Sequence, residues 1–205
     1  MNLLESRNSL LGEISADEIP YMKQEKLPIE NLSCHQSLLE HFLLPILRGN
    51  VFHLTNRSGL MGITKDALIR SNKNGESPFT YPQSARSYAR ARGYVSLFDL
   101  RTTTDVQLER ALSNYYFLNP SFTSNNPNFL IISEALYPAL IPWTKARDED
   151  AWKEMFIPYV EAFHQGDIPI SSISRVVSVK IKQVKKRKNS LSGLMDKAFQ
   201  ELCKP

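Results

Sequence analysis

The sequence predicts an α+β fold. Segments with the alternation or apolar run of a strand recur at 51–55, 94–100, 129–133 and 173–181. Helix-patterned segments lie between some of them but not in regular βαβ order, which argues against a doubly wound parallel sheet. A chain of 205 residues, 42% hydrophobic and 22% charged, can bury one sizeable core without a disulfide or a metal.

Residues 1–48 read as a helical extension that packs on the core. Leu3, Leu4, Leu10 and Leu11 recur at helical spacing, and after Pro20 and Pro28 the run SCHQSLLEHFLLPIL repeats the pattern. Ser33 is the expected N-cap there, and Pro45 bends or ends the helix. Gly49-Asn50 then punctuates the chain. VFHLT follows as a short strand, and SGLMGITKDALI as a helix with Leu60, Ile63 and Ala67 on one face.

Residues 71–84 are polar and turn-rich, a loop. ARSYARAR is a short helix or arm, Gly93 a break, and YVSLFDL a strand of aromatic and β-branched type. Residues 105–118 read as helix and 129–142 as a segment that begins as a strand. TKARDEDAWKEM is charged and helix-permissive. Residues 156–181 read as strand, turn, short helical connection and closing strand. SLSGLMDKAFQEL resembles a C-terminal helix.

The first fifteen residues interrupt their leucines with charge and polar groups. The longest apolar run, HFLLPIL, is far below the length that crosses a bilayer. The expectation is a cytoplasmic protein with no membrane partner. Cys34 and Cys203 stand in no CxxC or Cys/His ligand spacing, so a reducing compartment and no structural zinc are expected, with a disulfide between the two left open.

Formal net charge is +4, unevenly spread. Residues 180–188, KIKQVKKRK, hold Lys185, Lys186 and Arg187 among their cations and no acid, and Arg86, Arg90 and Arg92 cluster mid-chain. Such runs attract polyanions, although a run taken alone is more often a solvated face. Tyr81, Tyr88, Tyr115 and Tyr116 can stack on bases or sit half-buried in loops and helices.

Three segments then combine. FHLTNRSGLMGITKDALI opens with His-x-Thr on a strand before a helix. RSYARARGYVSLFD carries Tyr94 and Ser96 on one strand face. YVEAFHQGDIPISSISRVVSV places Glu161 before Gly166-Asp167-Ile168-Pro169 and an apolar strand. In that order and separation, over residues 51–181, they resemble the ADP-ribosyltransferase superfamily. The pattern is nearest its DNA- and RNA-targeting toxins, and the RNA 2′-phosphotransferases open in a similar way.

The resemblance implies a split β-sandwich core with flanking helices. It implies three parts: residues 1–48 as an N-terminal helical extension, 49–184 as the catalytic domain, and 185–205 as a basic segment with a C-terminal helix. NAD is the implied substrate, bound by His53, Thr55, Tyr94 and Ser96, with Glu161 and either Arg92 or Arg90 catalytic. Arg86, Lys185, Lys186 and Arg187 would contact a nucleic-acid acceptor. A bacterial toxin or phage-defence effector is the implied role, with an antitoxin or inhibitor protein as a further partner.

The chemistry is coherent with these residue types. Breaking the nicotinamide–ribose bond develops an oxocarbenium-like cation, and a carboxylate stabilises it. Each residue also has a plainer reading. His53 suits a core hydrogen bond, Thr55 a strand or N-cap, Tyr94 a core, and Glu161 an outward strand position. Tyr159 stands where protein-targeting transferases carry a Glu or Gln two residues before the catalytic Glu, which favours a different acceptor. The phosphotransferases' set of arginines and histidines is not matched. Protein-targeting transfer, NAD hydrolysis and noncatalytic nucleic-acid binding stand as alternatives. DEDAWKE at 148–154 reads as a solvated helix face rather than a metal site.

Overall fold

A computed structural model of the chain describes residues 27–75, 86–114 and 126–182. The fold is mixed α/β, consistent with the α+β class. In chain order it runs β1 (Ile29–His35), α1 (Leu39–Leu47), β2 (Val51–Thr55), α2 (Arg57–Asp66), β3 (Leu68–Ile69), α3 (Tyr88–Arg92), β4 (Tyr94–Asp99) and α4 (Asp105–Asn114). It continues with β5 (Asn128–Ile132), β6 (Leu140–Pro142), α5 (Thr144–Asp148), β7 (Glu161–Gln165), β8 (Ile168–Pro169) and β9 (Ile173–Lys182). Seven strands form one sheet in the order β1-β9-β5-β2-β4-β7-β6, and β3 pairs with β8 separately. Every pairing in the large sheet is antiparallel except β1 with β9.

The two faces of the sheet follow from alternation. Phe52, Leu54, Phe129, Ile131, Val177 and Val179 point to one face, where α1 and α4 cover them with Leu39, Leu43, Leu47 and Leu108. Val51, Leu97, Leu130, Ile132 and Val176 point to the other, against Leu60 and Ile63 of α2 and Ile168 of β8. Each fully buried side chain of this size contributes about 1.5–3 kcal/mol. β5 is buried at all five positions because it is central and covered on both sides.

Local chemistry fixes the ends. Asn56, not Thr55, caps α2, accepting the Gly59 N–H on its side chain at 2.7 Å. α2 stops at Ala67, which adopts a left-handed conformation (φ 55°) and is exposed, so it does not share the buried face of Leu60 and Ile63. Ser87 caps α3 through the Arg90 N–H, and Gly93 closes it at φ 71°, a region that glycine enters without a Cβ clash.

The helical reading of residues 33–48 needs correction. Ile29–His35 is a strand, paired in parallel with β9 over seven residues, and Ser33 lies inside it rather than capping a helix. Leu32 and Cys34 face the α1 side of the sheet, a period of two that the following leucines obscure. Residues 29–48 therefore belong to the sheet and its cover rather than to an appended helical part. TKARDEDAWKEM forms helix only over Thr144–Asp148, and Asp150 then turns left-handed (φ 55°). Residues 1–26, 76–85, 115–125 and 183–205 lie outside the described residues. With them go the leucine-rich start, most of the predicted 71–84 loop, Tyr81, Tyr115, Tyr116, Cys203 and the C-terminal helix. Among the described residues no helix is long and apolar enough to cross a membrane.

Candidate functional site

The sheet parts in its middle. β2 pairs with β5 as far as Thr55, and β4 pairs with β7 as far as Tyr94, but β2 and β4 pair only at Val51–Asp99 and Phe52–Phe98. Beyond Phe52 the strands separate, and backbone groups there need other partners. His53 fills the gap. Its Nδ1–H donates to the Ser96 carbonyl at 3.0 Å. A carbonyl can only accept, so the neutral ring carries its proton on Nδ1 and leaves the Nε2 lone pair available. Burial pushes the His53 pKa down, more than the Ser96 carbonyl raises it, which favours this neutral form.

Ser96 is also bonded from its other side. Its hydroxyl donates to Glu161 Oε1 at 2.5 Å, and the Ile157 N–H donates to Glu161 Oε2 at 2.5 Å. Glu161 is only 6% exposed, and no cation among the described residues is bonded to it. Desolvation raises its pKa to about 7, against the lowering effect of the Ser96 hydroxyl and the Ile157 N–H. The carboxylate therefore titrates near neutrality and holds one orientation, with a lone pair on each oxygen still open.

A tight turn presents this carboxylate. The Glu161 N–H donates to the Ile157 carbonyl at 3.0 Å while the Glu161 side chain takes the Ile157 N–H, so turn and side chain hold each other. Tyr159 sits in the turn at φ 71°, a costly conformation for a non-glycine residue. Its ring packs on Trp143 (4.9 Å between centroids), and its carbonyl accepts from the Thr103 hydroxyl. Nothing in the sequence around Tyr159 marks this backbone role, since a non-glycine residue gives no local sign of a left-handed turn.

The predicted residues fall into groups. His53, Ser96 and Glu161 form one hydrogen-bonded chain. By register, Ser96 and Glu161 project to the α1 side of the sheet, and His53 and Thr55 to the α2 side, so the four side chains do not share one face; His53 reaches only the Ser96 backbone carbonyl, where β2 and β4 stop pairing. Thr55 is buried against Gly59, where an added Cβ would lie 2.0 Å from the Thr55 hydroxyl. Tyr94 is half-buried, its ring centroid 6.3 Å from Tyr88 and 6.4 Å from Phe163. Tyr88 is fully buried, so it offers no stacking surface for a base.

Arg92 is held in place. It bonds Glu149 at 2.9 Å and Glu154 at 2.6 Å, and its guanidinium lies 3.7 Å above the Tyr88 ring. Tyr88 donates its hydroxyl to the same Glu149. The acids of 148–154 are thus partly the clamp on α3 rather than simply a solvated face. Nothing local reveals this, because the partners are 57 and 62 residues apart. Arg90 packs its guanidinium against Gly75, and Arg86 is exposed, its carbonyl accepting the Met155 N–H. Lys185, Lys186 and Arg187 lie outside the described residues. No family model, curated protein or solved structure matches this chain.

Proposed function

We propose that the chain is an NAD-dependent ADP-ribosyltransferase with a nucleic-acid acceptor, its site at the parting of β2 and β4. The observation that carries this reading is the chain His53–Ser96–Glu161, with a buried carboxylate that titrates near 7. The resemblance implies a split β-sandwich; the seven strands here form one sheet, and its parting between β2 and β4 is the feature that supports the reading.

In this reading His53 Nε2 accepts a ribose hydroxyl, and the ionised Glu161 faces the ribose. The C1′–N bond to nicotinamide breaks, and its electron pair leaves with the nicotinamide, which becomes neutral. The carboxylate stabilises the oxocarbenium cation that remains. An acceptor oxygen or nitrogen then bonds to C1′, and its proton passes to Glu161 as general base. A base that titrates near the operating pH suits this step, and burial without a cation provides it. Arg92, committed to Glu149, Glu154 and Tyr88, acts as a support for α3 and β4 in this scheme rather than on NAD.

The test is an incubation of the purified protein with NAD and mixed DNA and RNA, followed by nicotinamide quantification and mass spectrometry of the polymers. The expected result is nicotinamide release with an ADP-ribose increment on nucleic acid, both lost in Glu161→Gln. Release without an increment would make water the acceptor. An increment on protein alone would make the chain a protein-modifying enzyme. No release would refute the transferase reading.

A further inference from the structure

The α2-side face of the sheet changes character toward β1 and β9. Register places Thr55 opposite Asn128, Asn128 opposite Ser178, and Ser178 opposite Asn31, so four short hydrogen-bonding side chains form one row across four neighbouring strands. At about 4.8 Å per strand this row spans about 14 Å. It starts on the strand that carries His53. Its floor is buried at Thr55 and Asn128 and opens at Ser178 and Asn31, which are half-buried.

Beyond the row, β1 and β9 continue alone as a pair. Ser33 faces Lys180 and His35 faces Lys182, and both lysines and His35 are exposed. Lys180 and Lys182 lie on the same face about 6.6 Å apart along the strand. Neither has a carboxylate partner among the described residues, whereas Arg175 of the same strand pairs with Glu30. On this face β1, β9, β5 and β2 carry no acid at any paired position. In sequence, 185–188 adds four further cations directly after β9.

We infer that this face is a docking surface for a single-stranded polynucleotide, whose phosphates meet Lys180 and Lys182 and whose sugars and bases lie along the open end of the polar row at Ser178 and Asn31. Cations spaced along one strand suit a linear polyanion, and the uncharged Asn and Ser side chains suit sugar, phosphate and base edges. Among the described residues, the strand positions of the outer part of the face, His35, Ser33, Lys180 and Lys182, include no large apolar side chain for insertion into a lipid layer. The assignment deepens the transferase reading by giving the acceptor a docking surface, and it rests on that reading only for the docked strand's role as acceptor.

The experiment is fluorescence anisotropy of labelled DNA and RNA 20-mers, single-stranded and duplex, titrated at several salt concentrations. The proteins are wild type, Lys180→Ala/Lys182→Ala, and a charge-matched control, Lys65→Ala/Lys153→Ala, built on two exposed lysines elsewhere. For single strands, the Lys180/Lys182 variant is expected to lose affinity by tenfold or more at low salt. Its log–log salt slope should shrink by about 1.4, or 0.7 for each lysine. The control should keep the wild-type slope.

Equal slopes for wild type and the Lys180/Lys182 variant would overturn the surface, as would an equal loss in the control or tighter binding to duplex. Lysine-dependent sedimentation with phosphatidylserine vesicles but not with oligonucleotide would make it a membrane surface instead. Nicotinamide release, measured in parallel on wild type, separates the two ideas. Lysine-dependent oligonucleotide binding without NAD cleavage would leave the surface standing and refute the enzyme.

Discussion

Ser96 donates its hydroxyl to Glu161 Oε1 at 2.5 Å, joining residues 65 apart in sequence on adjacent strands. That bond works against desolvation, which raises the carboxyl pKa to about 7. Ser96→Ala is therefore expected to move the Glu161 pKa further up. Because the proposed reaction uses the ionised carboxylate, nicotinamide release in the wild type should rise with pH through about 7. In Ser96→Ala that limb should shift to higher pH, with the rate at pH 7 falling most. A pH–rate profile checks this, and an unmoved limb would show that Ser96 does not tune the carboxylate.

The same buried carboxyl makes stability depend on pH. Its folded pKa, about 7, lies above the ordinary 4.5, so the folded state binds the proton more tightly than the unfolded state. Its contribution is fully present below about pH 4.5 and is lost as pH rises through about 7. The difference corresponds to roughly 3 kcal/mol between the two limits. Glu161→Gln should remove this decline, so the variant should melt higher than wild type above pH 7 and differ less at pH 5. Parallel thermal melts at the two pH values check it.

Arg92 is expected to matter for stability before chemistry. Its contacts with Glu149, Glu154 and the Tyr88 ring are partly buried, and such a network resists single truncations. Arg92→Ala should cost about 2–4 kcal/mol. A double-mutant cycle with Glu149→Ala should show losses that do not add, because the two side chains share one network. Loss of NAD turnover in Arg92→Ala with unchanged stability would instead place Arg92 on the substrate.

Two glycines of α2 should respond in opposite directions. At Gly59 a Cβ would meet the Thr55 hydroxyl at 2.0 Å, whereas at Gly62 it would meet nothing within 4 Å. Gly59→Ala should destabilise by about 1–3 kcal/mol by overpacking. Gly62→Ala should stabilise by about 0.4–1 kcal/mol through helix propensity and unfolded-state entropy. Denaturant titrations read both. Recovery in Thr55→Ala/Gly59→Ala would identify the hydroxyl as the obstacle.

What the sequence made legible depended on whether the signal was local. VFHLT and YVSLFD are strands within a residue of the expected bounds because their alternation and flanking breaks are contained in the segments themselves. β1 was hidden because Leu39, Leu43 and Leu47 impose a helical period just after it, and a parallel partner more than 140 residues away leaves no local trace. The apolar strand around Glu161 signalled an unusual carboxylate. The turn that positions it was silent, since a left-handed Tyr159 breaks the usual preference for glycine. The link through Ser96 depends on where β2 and β4 stop pairing, and register of that kind is set by tertiary packing.

The central claim is that the parting of β2 and β4 is where NAD sits. A crystal structure of Glu161→Gln soaked with NAD tests it most directly. The account requires the nicotinamide ribose between His53 and position 161, with His53 Nε2 within hydrogen-bonding distance of a ribose hydroxyl. Dinucleotide bound on another surface, or no dinucleotide at the gap at saturating NAD, would contradict it.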